Sequence, residues 1–377
     1  MNIAVLGAGG MGRAAVYDLV RAKGVHDVIV IDRDRDRVED VARTCGGRTI
    51  PMAFDLTDRR ALLQALEGCD AVLGAASYRL NLLLSRVCIR AGAHFCDLGG
   101  NTDVVHAQFA LSDEARAAGV AIIPDCGLAP GLVSVLTARA LELLPDAASV
   151  RIRVGGLPQK PVPPWNYQVV FSPEGLINEY SQPTVALRDG EVVEVPTLGD
   201  LESLSFPPPF EQLEAFHTSG GASTLPWTLK GRVRDLDYKT IRYPGHRDLV
   251  AALFALGFAD DGPVPVDGAP VRPRRVLERQ IAEHLAGSGP DCVLLLVEAR
   301  GPSGSVAFRL VDREDPDTGL TAMMRCTAFP AAVVAWLLAS GAVQERGTLH
   351  QELVLPPGPF VAALRRRGLA IEMRRGR

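Results

Sequence analysis

The sequence has few features that would tie the chain to nucleic acid, to a membrane or to an oxidising compartment. The 377 residues carry a formal net charge of −4, so no basic excess favours a nucleic-acid or anionic-membrane partner. The seven cysteines are odd in number and form no C-x-x-C pair, which argues against a disulfide framework and a zinc site. The longest apolar run near the C-terminus, PAAVVAWLLASGAV, is too short to cross a bilayer. We therefore expect a cytoplasmic protein without a metal, a nucleic-acid partner or a membrane partner.

The order of predicted elements divides the chain into two parts. In the first part, short apolar runs such as NIAVL, DVIVID and AHFCDL alternate with helical patterns, which predicts a doubly wound parallel sheet. Thr57 is the expected N-cap of the helix in LTDRRALLQALEG. Later in the chain, longer runs such as SVRIRVGGLP and CVLLLVEARG predict a mixed sheet. A chain of 377 residues, of which 47% are hydrophobic, is large enough for two such domains.

A glycine-rich turn near the start of the sequence predicts a dinucleotide site. In MNIAVLGAGGMG, Gly7, Gly9 and Gly12 follow an apolar strand and open a helix, which is the context that this fingerprint requires. Gly7 permits the tight turn, Gly9 lets the backbone approach a pyrophosphate, and Gly12 lets helix and strand pack closely. Asp32 ends the second strand, where a carboxylate accepts hydrogen bonds from ribose hydroxyls. The predicted cofactor contacts are Gly7, Gly9, Gly10, Met11, Gly12, Asp32, Arg33, Ala75, Ala76, Ser77 and Tyr78.

Asp32 also bears on the choice of cofactor. Its carboxylate would repel a 2′-phosphate, which favours NAD over NADP. Arg33 and Arg35 stand nearby and could neutralise a phosphate, so NADP is not excluded. The expected fold class is therefore α/β, with an inserted α+β domain. The predicted segments are a dinucleotide-binding Rossmann domain (1–127), an inserted mixed-sheet domain for the substrate (128–322) and a C-terminal segment that returns to the Rossmann domain (323–377).

Polar residues at the carboxyl ends of two predicted strands are candidates for catalysis. In a doubly wound sheet the ligand lies beyond these ends, where Asp97 follows AHFC and Asp125 follows VAIIP. Either carboxylate could equally cap the loop or helix that follows it. Cys126, the next residue, is either a catalytic thiol or a small core residue.

The order of several motifs resembles a known family. GAGGMG, DLGGNTDVV, PDCGLAPGLVSV, VGGLP, FSPEGLINEY and YKTIRYPGH occur in this sequence, and TAFPAAVVAWLL follows near the end. Over nearly its whole length the chain resembles the saccharopine dehydrogenase superfamily, most closely the lysine 6-dehydrogenase branch. The resemblance implies a Rossmann domain, a mixed-sheet domain that binds substrate and forms a homodimer or higher homo-oligomer, and a C-terminal helix returning to the first domain.

The resemblance also implies a reaction. Lysine 6-dehydrogenases oxidise the carbon that bears the ε-amino group of L-lysine, with NAD as the hydride acceptor. The imine hydrolyses to allysine with loss of ammonia, and the aldehyde cyclises to piperideine carboxylate. The ε-ammonium, whose ordinary pKa is about 10.4, must first lose a proton. Asp97 would hold this ammonium, and the candidates for the proton acceptor are Asp97, Asp125, Cys126, Lys160 and His246.

Substrate contacts are expected from motifs of the second domain. Arg242 in RYPGH is the candidate for a two-pronged contact with the α-carboxylate. His246 in the same motif would move protons near neutral pH, or would simply pack at a helix start. In FSPEGLINEY, a helix cap at Ser172 could by itself account for the pattern. The other predicted substrate contacts are Tyr243, Lys160, Thr218 and Glu179 with its neighbour Tyr180.

Two other functions stay open from the sequence. A saccharopine- or carboxynorspermidine-type dehydrogenase would act on a secondary amine or imine, usually with NADP(H), and would need cationic groups for further carboxylates. A non-catalytic dinucleotide-binding sensor would keep the glycine motif and Asp32 without needing polar groups at the strand ends. In either enzyme, the partner is a small amino acid or amine.

Overall fold

The computed structural model describes residues 1–287 and 289–376, and its regular elements alternate along most of the chain. The strands are β1 (Asn2–Leu6), β2 (Asp27–Asp32), β3 (Thr49–Ala53), β4 (Ala71–Gly74), β5 (His94–Asp97), β6 (Ala121–Ile123), β7 (Ser149–Pro158), β8 (Thr184–Arg188), β9 (Glu191–Val195), β10 (Glu202–Leu204), β11 (Leu213–His217), β12 (Asp235–Arg242), β13 (Val264–Val266), β14 (Ala269–Val271), β15 (Asp291–Gly301), β16 (Gly304–Arg313), β17 (Gly347–Thr348) and β18 (Glu372–Gly376). The α-helices are α1 (Gly10–Leu19), α2 (Arg35–Cys45), α3 (Arg59–Ala65), α4 (Asn81–Ala91), α5 (Thr102–Phe109), α6 (Ser112–Ala117), α7 (Leu132–Leu143), α8 (Pro173–Ser181), α9 (Leu225–Thr228), α10 (His246–Ala255), α11 (Pro273–His284), α12 (Ala322–Ala339), α13 (Gln351–Val354) and α14 (Pro357–Arg366). A 3-10 turn spans Tyr78–Leu80.

These elements pack into two compact units. The first unit comprises Met1–Glu142 with Met324–Leu369, and the second comprises Leu143–Met323 with the residues from Ala370 onward. Helix α7 follows the predicted boundary at residue 127, yet all of it except Leu143 lies in the first unit, and most of its residues are buried. Strand β18 belongs to the second unit, where it pairs with β16.

The first unit contains a seven-stranded sheet in the order β17-β6-β5-β4-β1-β2-β3. All of its neighbouring strands are parallel. Strands β1 and β4 are buried along their length, as is typical of continuous apolar runs covered by helices on both faces. The strand order reverses between β1 and β4, and doubly wound sheets bind dinucleotides at such a point. The predicted α/β fold is confirmed.

Helix α12 is the long apolar helix of the C-terminal part. Its 18 residues, with a mean hydropathy of 1.6, are long and apolar enough to cross a membrane by composition alone. However, 72% of the helix is buried inside the protein, as in the core helix of a folded domain.

The prediction that Thr57 caps helix α3 is wrong. The cap is Asp58, whose carboxylate accepts hydrogen bonds from two backbone N–H groups of the first turn, each at 3.1 Å. The Thr57 hydroxyl instead donates to Asp55 at 2.7 Å. The helix therefore begins one residue later than expected, because the Thr57 hydroxyl is already hydrogen-bonded to the carboxylate of Asp55.

The second unit is built on a nine-stranded mixed sheet. Its main path runs β10-β11-β12-β7-β15-β16-β18, and the β8–β9 hairpin joins at β12. Strands β12 and β7 are parallel, whereas β11–β12, β7–β15 and β15–β16 are antiparallel. Because side chains alternate along β12, Ile241 enters the core around Leu157 and Leu294, while Arg242 faces the aromatic cluster around Tyr167 and Tyr180.

Candidate dinucleotide and substrate sites

Two glycines of the first turn are required by the protein's own packing. Gly7 has a φ of 113°, and a Cβ there would lie 2.7 Å from the carbonyl oxygen of Ala75. A Cβ on Gly12 would lie 1.9 Å from the carbonyl oxygen of Gly7. Neither contact is tolerable, so the tight turn and the close helix–strand packing both depend on glycine.

Gly9 has a different surrounding. Its φ of −70° is ordinary, and no atom lies within 4 Å of a Cβ built on it. It is the N-cap of α1, whose first N–H groups have no carbonyl partner within the helix. Open space beside these N–H groups fits a phosphate. The protein's own packing does not require glycine here, whereas the close approach of a pyrophosphate would.

Asp32 stands beside the glycine turn at the end of β2. Its Oδ2 accepts a hydrogen bond from the backbone N–H of Ala8 at 2.8 Å, and its Oδ1 accepts one from Asp34 at 3.0 Å. Each oxygen keeps a lone pair that suits a ribose hydroxyl. Arg33, next to it, is exposed.

The remaining predicted cofactor contacts lie around the ends of β1 and β4. Ala75 touches the glycine turn, and Ser77 is exposed just before the 3-10 turn. Tyr78 packs within 3.2 Å of the position that a Cβ on Gly100 would take. Met11 and Ala76 are half-buried, and a Cβ on Gly10 would meet the Met324 side chain at 2.6 Å. The structure thus groups the predicted contacts at one edge of the sheet.

Asp97 is fully buried and is engaged inside the first unit. Its Oδ1 accepts hydrogen bonds from the backbone N–H groups of Gly99 at 2.7 Å and Asp125 at 3.4 Å. Its Oδ2 accepts one from Gln108 Nε2 at 2.7 Å, and the same Nε2 donates to Ser85 Oγ at 3.0 Å. Burial raises the pKa of Asp97 to about 6, while these hydrogen bonds oppose the rise. This setting favours the loop-capping alternative, and contact with a substrate ammonium stays a prediction.

Asp125 and Cys126 follow β6. Asp125 is 5% exposed and has a φ of 63°. A Cβ built on Gly99 would lie only 1.8 Å from the Oδ1 of Asp125. Cys126 is fully buried and its thiol donates to the carbonyl of Ile123 at 3.2 Å. Burial raises the pKa of this thiol well above its ordinary value. A thiol that stays protonated is a poor nucleophile, so the environment favours the core role over the predicted catalytic thiol.

In the second unit, Arg242 lies in a buried aromatic cluster. Its Nε donates to Tyr180 Oη at 2.8 Å and its Nη1 donates to the Ile241 carbonyl at 2.9 Å. The guanidinium carbon lies 4.8 Å from the centre of the Tyr167 ring. Nη2 is 3.8 Å from Glu179 Oε2, beyond hydrogen-bond distance. Among the described residues, Nη2 of this rigidly held cation therefore has no hydrogen-bond acceptor.

Glu179 lies on α8, which begins after Ser172, the predicted cap, whose hydroxyl accepts a hydrogen bond from Gly175 at 3.4 Å. The Glu179 side chain is 28% exposed, and no hydrogen bond to its carboxylate is seen among the described residues. Burial raises the pKa of Glu179 to about 7, and the charge of Arg242 opposes the rise. Glu179 therefore gains or loses its charge near neutral pH.

His246 begins α10 and holds the cluster together. Its Nε2 is 3.1 Å from Tyr180 Oη, and its Nδ1 is 3.1 Å from the Trp165 carbonyl. Burial, reinforced by the charge of Arg242, lowers the pKa of His246 to about 3. An imidazole that stays neutral does not fit the predicted proton shuttle near neutral pH. The packing alternative fits, because His246 fixes the tyrosine that holds Arg242.

The other predicted substrate contacts are scattered. Thr218 is buried and its hydroxyl is 2.6 Å from that of Thr240. Tyr243 faces the opposite core, where its hydroxyl donates to the Pro158 carbonyl at 3.0 Å. Lys160 is exposed. The structure therefore brings Arg242, Glu179 and His246 together, and leaves Tyr243 and Lys160 outside this cluster.

Tyr167, a further member of the cluster, was not predicted from the sequence. It is 6% exposed and its ring centre is 5.0 Å from that of His246. Its only signal in the sequence is an aromatic residue after a proline-rich loop, in VPPWNYQVV. Nothing in that pattern indicates that the ring packs against Arg242.

Two family profiles match the chain. The Saccharopine dehydrogenase NADP binding domain matches residues 3–123, and the Saccharopine dehydrogenase C-terminal domain matches residues 127–369. Carboxyaminopropylagmatine dehydrogenase of a Synechocystis strain is 23% identical, over 98% of this chain and 96% of that protein. Alpha-aminoadipic semialdehyde synthase of Mus musculus is 25% identical over 55% of this chain, which spans only 23% of its length.

The fold also matches a solved structure. Apo saccharopine dehydrogenase (L-Glu forming) from Saccharomyces cerevisiae superposes with a TM-score of 0.81 over the whole of both chains, at 18% sequence identity. At this identity the likeness shows the fold alone. Both kinds of comparison extend over the two units described above.

Proposed function

Since the chain belongs to the saccharopine dehydrogenase family, we propose that it oxidises the terminal amine of L-lysine with NAD, releasing ammonia. The family makes it an NAD(P)-dependent oxidoreductase that acts on amine or imine groups. The proposed product is allysine, which cyclises to piperideine carboxylate. A silent dinucleotide sensor is not supported, because the family consists of dehydrogenases.

The observation that carries the proposal is the pair formed by Arg242 and Glu179. The carboxylate and ammonium of an α-amino acid are attached to the same carbon, so their protein partners must be close to each other. Arg242 Nη2 and Glu179 Oε2 are 3.8 Å apart, and neither is hydrogen-bonded to the other. Arg242 would bind the α-carboxylate and Glu179 the α-ammonium. An amino acid held by this end presents its distal amine for reaction.

The residues of the first unit fit NAD. The N-terminus of α1 beside Gly9 would hold the pyrophosphate, and Asp32 would hold the ribose. Asp32 supports NAD over NADP, because its carboxylate would repel a 2′-phosphate. NAD held by these residues would supply the hydride acceptor for the carbon that bears the amine. Asp97 and Asp125 stay the proposed acceptors of the ε-ammonium proton, since burial disfavours Cys126 and His246.

A secondary amine is the second candidate substrate. It is supported by the relative that matches 98% of this chain, a carboxyaminopropylagmatine dehydrogenase. Substrates with several carboxylates fit less well, because two further buried cations of the second unit are already paired. Arg153 is 2.8 Å from Asp237, and Lys239 is 3.1 Å from Glu202. Of these three cations, Arg242 is the one available to a carboxylate.

The test is NADH or NADPH formation at mildly alkaline pH with L-lysine, ornithine, saccharopine and polyamines, with ammonia measured in parallel. Oxidation of lysine with NAD and equimolar ammonia supports the proposal. Oxidation of a secondary amine without ammonia supports the second candidate. If none of these amines is oxidised while NAD binds, both are contradicted.

A further inference from the structure

Tyr167 carries a buried hydroxyl without a partner. The residue is 6% exposed, and its Oη makes no hydrogen bond among the described residues. Burial raises the pKa of this hydroxyl, so it is a neutral donor at any physiological pH. Buried hydroxyls are nearly always hydrogen-bonded, because leaving one unpaired is costly. The position therefore calls for an acceptor that the fold itself does not supply.

The hydroxyl lies in the charged part of the aromatic cluster. The Arg242 guanidinium is 4.8 Å from the centre of the Tyr167 ring. The charges of Arg242 and Glu179 both act on the hydroxyl, lowering and raising its pKa respectively. The ring that carries this neutral donor thus packs against the guanidinium whose Nη2 makes no hydrogen bond among the described residues. Two donors of this kind match the two oxygens of one carboxylate.

We propose that the Tyr167 hydroxyl donates a hydrogen bond to the substrate's carboxylate beside Arg242, and so selects amines that carry a carboxylate over plain polyamines. This rests on the proposed function, whose substrate has an α-carboxylate. A site built around buried donors rejects an analogue without the acceptor, because the donors are then left unpaired. Tyr167 therefore sets specificity and takes no part in proton transfer.

The test compares L-lysine with cadaverine, which has the same carbon chain without the carboxylate. Binding of each diamine is measured by titration calorimetry on wild type, on Tyr167→Phe and on Tyr17→Phe, a control whose ring packs against Arg21 in the first unit. We expect wild type to prefer lysine, and Tyr167→Phe to bind lysine about tenfold or more weakly with cadaverine unchanged. The thermal midpoint of Tyr167→Phe should equal or exceed that of wild type, because no internal hydrogen bond is lost.

Other outcomes separate this inference from the proposed reaction. The role of Tyr167 is overturned if Tyr167→Phe binds lysine as wild type does, or if it loses affinity equally for lysine and cadaverine. It is also overturned if wild type binds neither compound. If the binding pattern holds but no NADH forms from lysine, the proposed reaction fails and the carboxylate contact stands. If lysine is oxidised and Tyr167→Phe binds it normally, the contact alone fails.

Discussion

Glu179 should make amino-acid binding depend on pH around neutrality. Burial raises its pKa to about 7, and only the ionised carboxylate attracts the α-ammonium of the substrate. With this pKa, roughly a tenth of the free protein carries the charge at about pH 6, and roughly nine tenths of it does at about pH 8. Ionisation of Glu179 should therefore raise kcat/KM for L-lysine about tenfold over that pH range. The rise in kcat should be smaller, because a bound ammonium keeps Glu179 ionised.

The stability of the free protein should move in the opposite direction. A raised carboxyl pKa means that the folded protein binds the proton more tightly than the unfolded chain does. The contribution of Glu179 to the free energy of unfolding is therefore fully present below its ordinary pKa of 4.5, and it is lost as the pH rises through its folded-state pKa of about 7. Over this window, Glu179→Gln should show a smaller loss of thermal midpoint with rising pH than wild type.

The assay measures kcat/KM against pH for two substrates, L-lysine and 6-aminohexanoate, which lacks the α-ammonium. Ionisation of the distal amine is common to both and cancels in their ratio. The ratio should rise with pH in wild type and in Glu211→Gln, an exposed control in the same unit, and should be flat in Glu179→Gln. A wild-type slope in Glu179→Gln, or a flat ratio in wild type, would refute the assignment.

Three further predictions concern the first unit. Gly9→Ala should keep the thermal midpoint of the free protein but lose the upward shift caused by NAD. Gly12→Ala, in contrast, should destabilise the free protein, since its Cβ would lie 1.9 Å from a backbone oxygen. A normal NAD shift in Gly9→Ala contradicts the phosphate site. Asp32→Asn should raise KM for NAD about tenfold or more and lower the NAD/NADP preference, measured by paired kinetics; an unchanged preference would mean that another group sets it. Cys126→Ala should retain kcat within about threefold, because its thiol stays protonated; a loss of a hundredfold or more would restore the catalytic thiol.

The dinucleotide turn could be predicted from the sequence because most of its determinants lie close together in the chain. Gly12 packs on the backbone of Gly7 in the same turn, whereas the contact of Gly7 with Ala75 after β4 is not visible in the spacing. Asp32 follows from the length of one helix and one strand. The alternation of strands and helices likewise predicted the parallel sheet of the first unit, because most of its strands read as short apolar runs; β17 (Gly347–Thr348) does not.

The aromatic cluster around Arg242 was only partly predictable, because its contacts join distant parts of the chain. Arg242 on β12 is held by Tyr180 from α8, and Tyr180 in turn by His246 from α10. No periodic pattern reports such contacts. The state of His246 depends on its burial beside a cation, which the motif RYPGH does not reveal. Thr218, a predicted substrate contact, follows the buried strand β11, and its hydroxyl lies 2.6 Å from that of Thr240.

Two carboxylates with raised pKa values show why residue type alone does not assign a role. Asp97 is fully buried, and donors from Gly99 and Gln108 already satisfy both of its oxygens, so its pKa rises only to about 6. Glu179 has no hydrogen-bond donor among the described residues, only Arg242 at 3.8 Å, and its pKa rises to about 7. A carboxylate whose donors are built into the fold organises the backbone around it. A carboxylate without such donors gains most from a ligand that supplies them, and an α-ammonium supplies three N–H groups. The donors around each acid therefore distinguish the two: they support Glu179 as the proposed partner of the α-ammonium, while proton transfer to Asp97 stays a prediction.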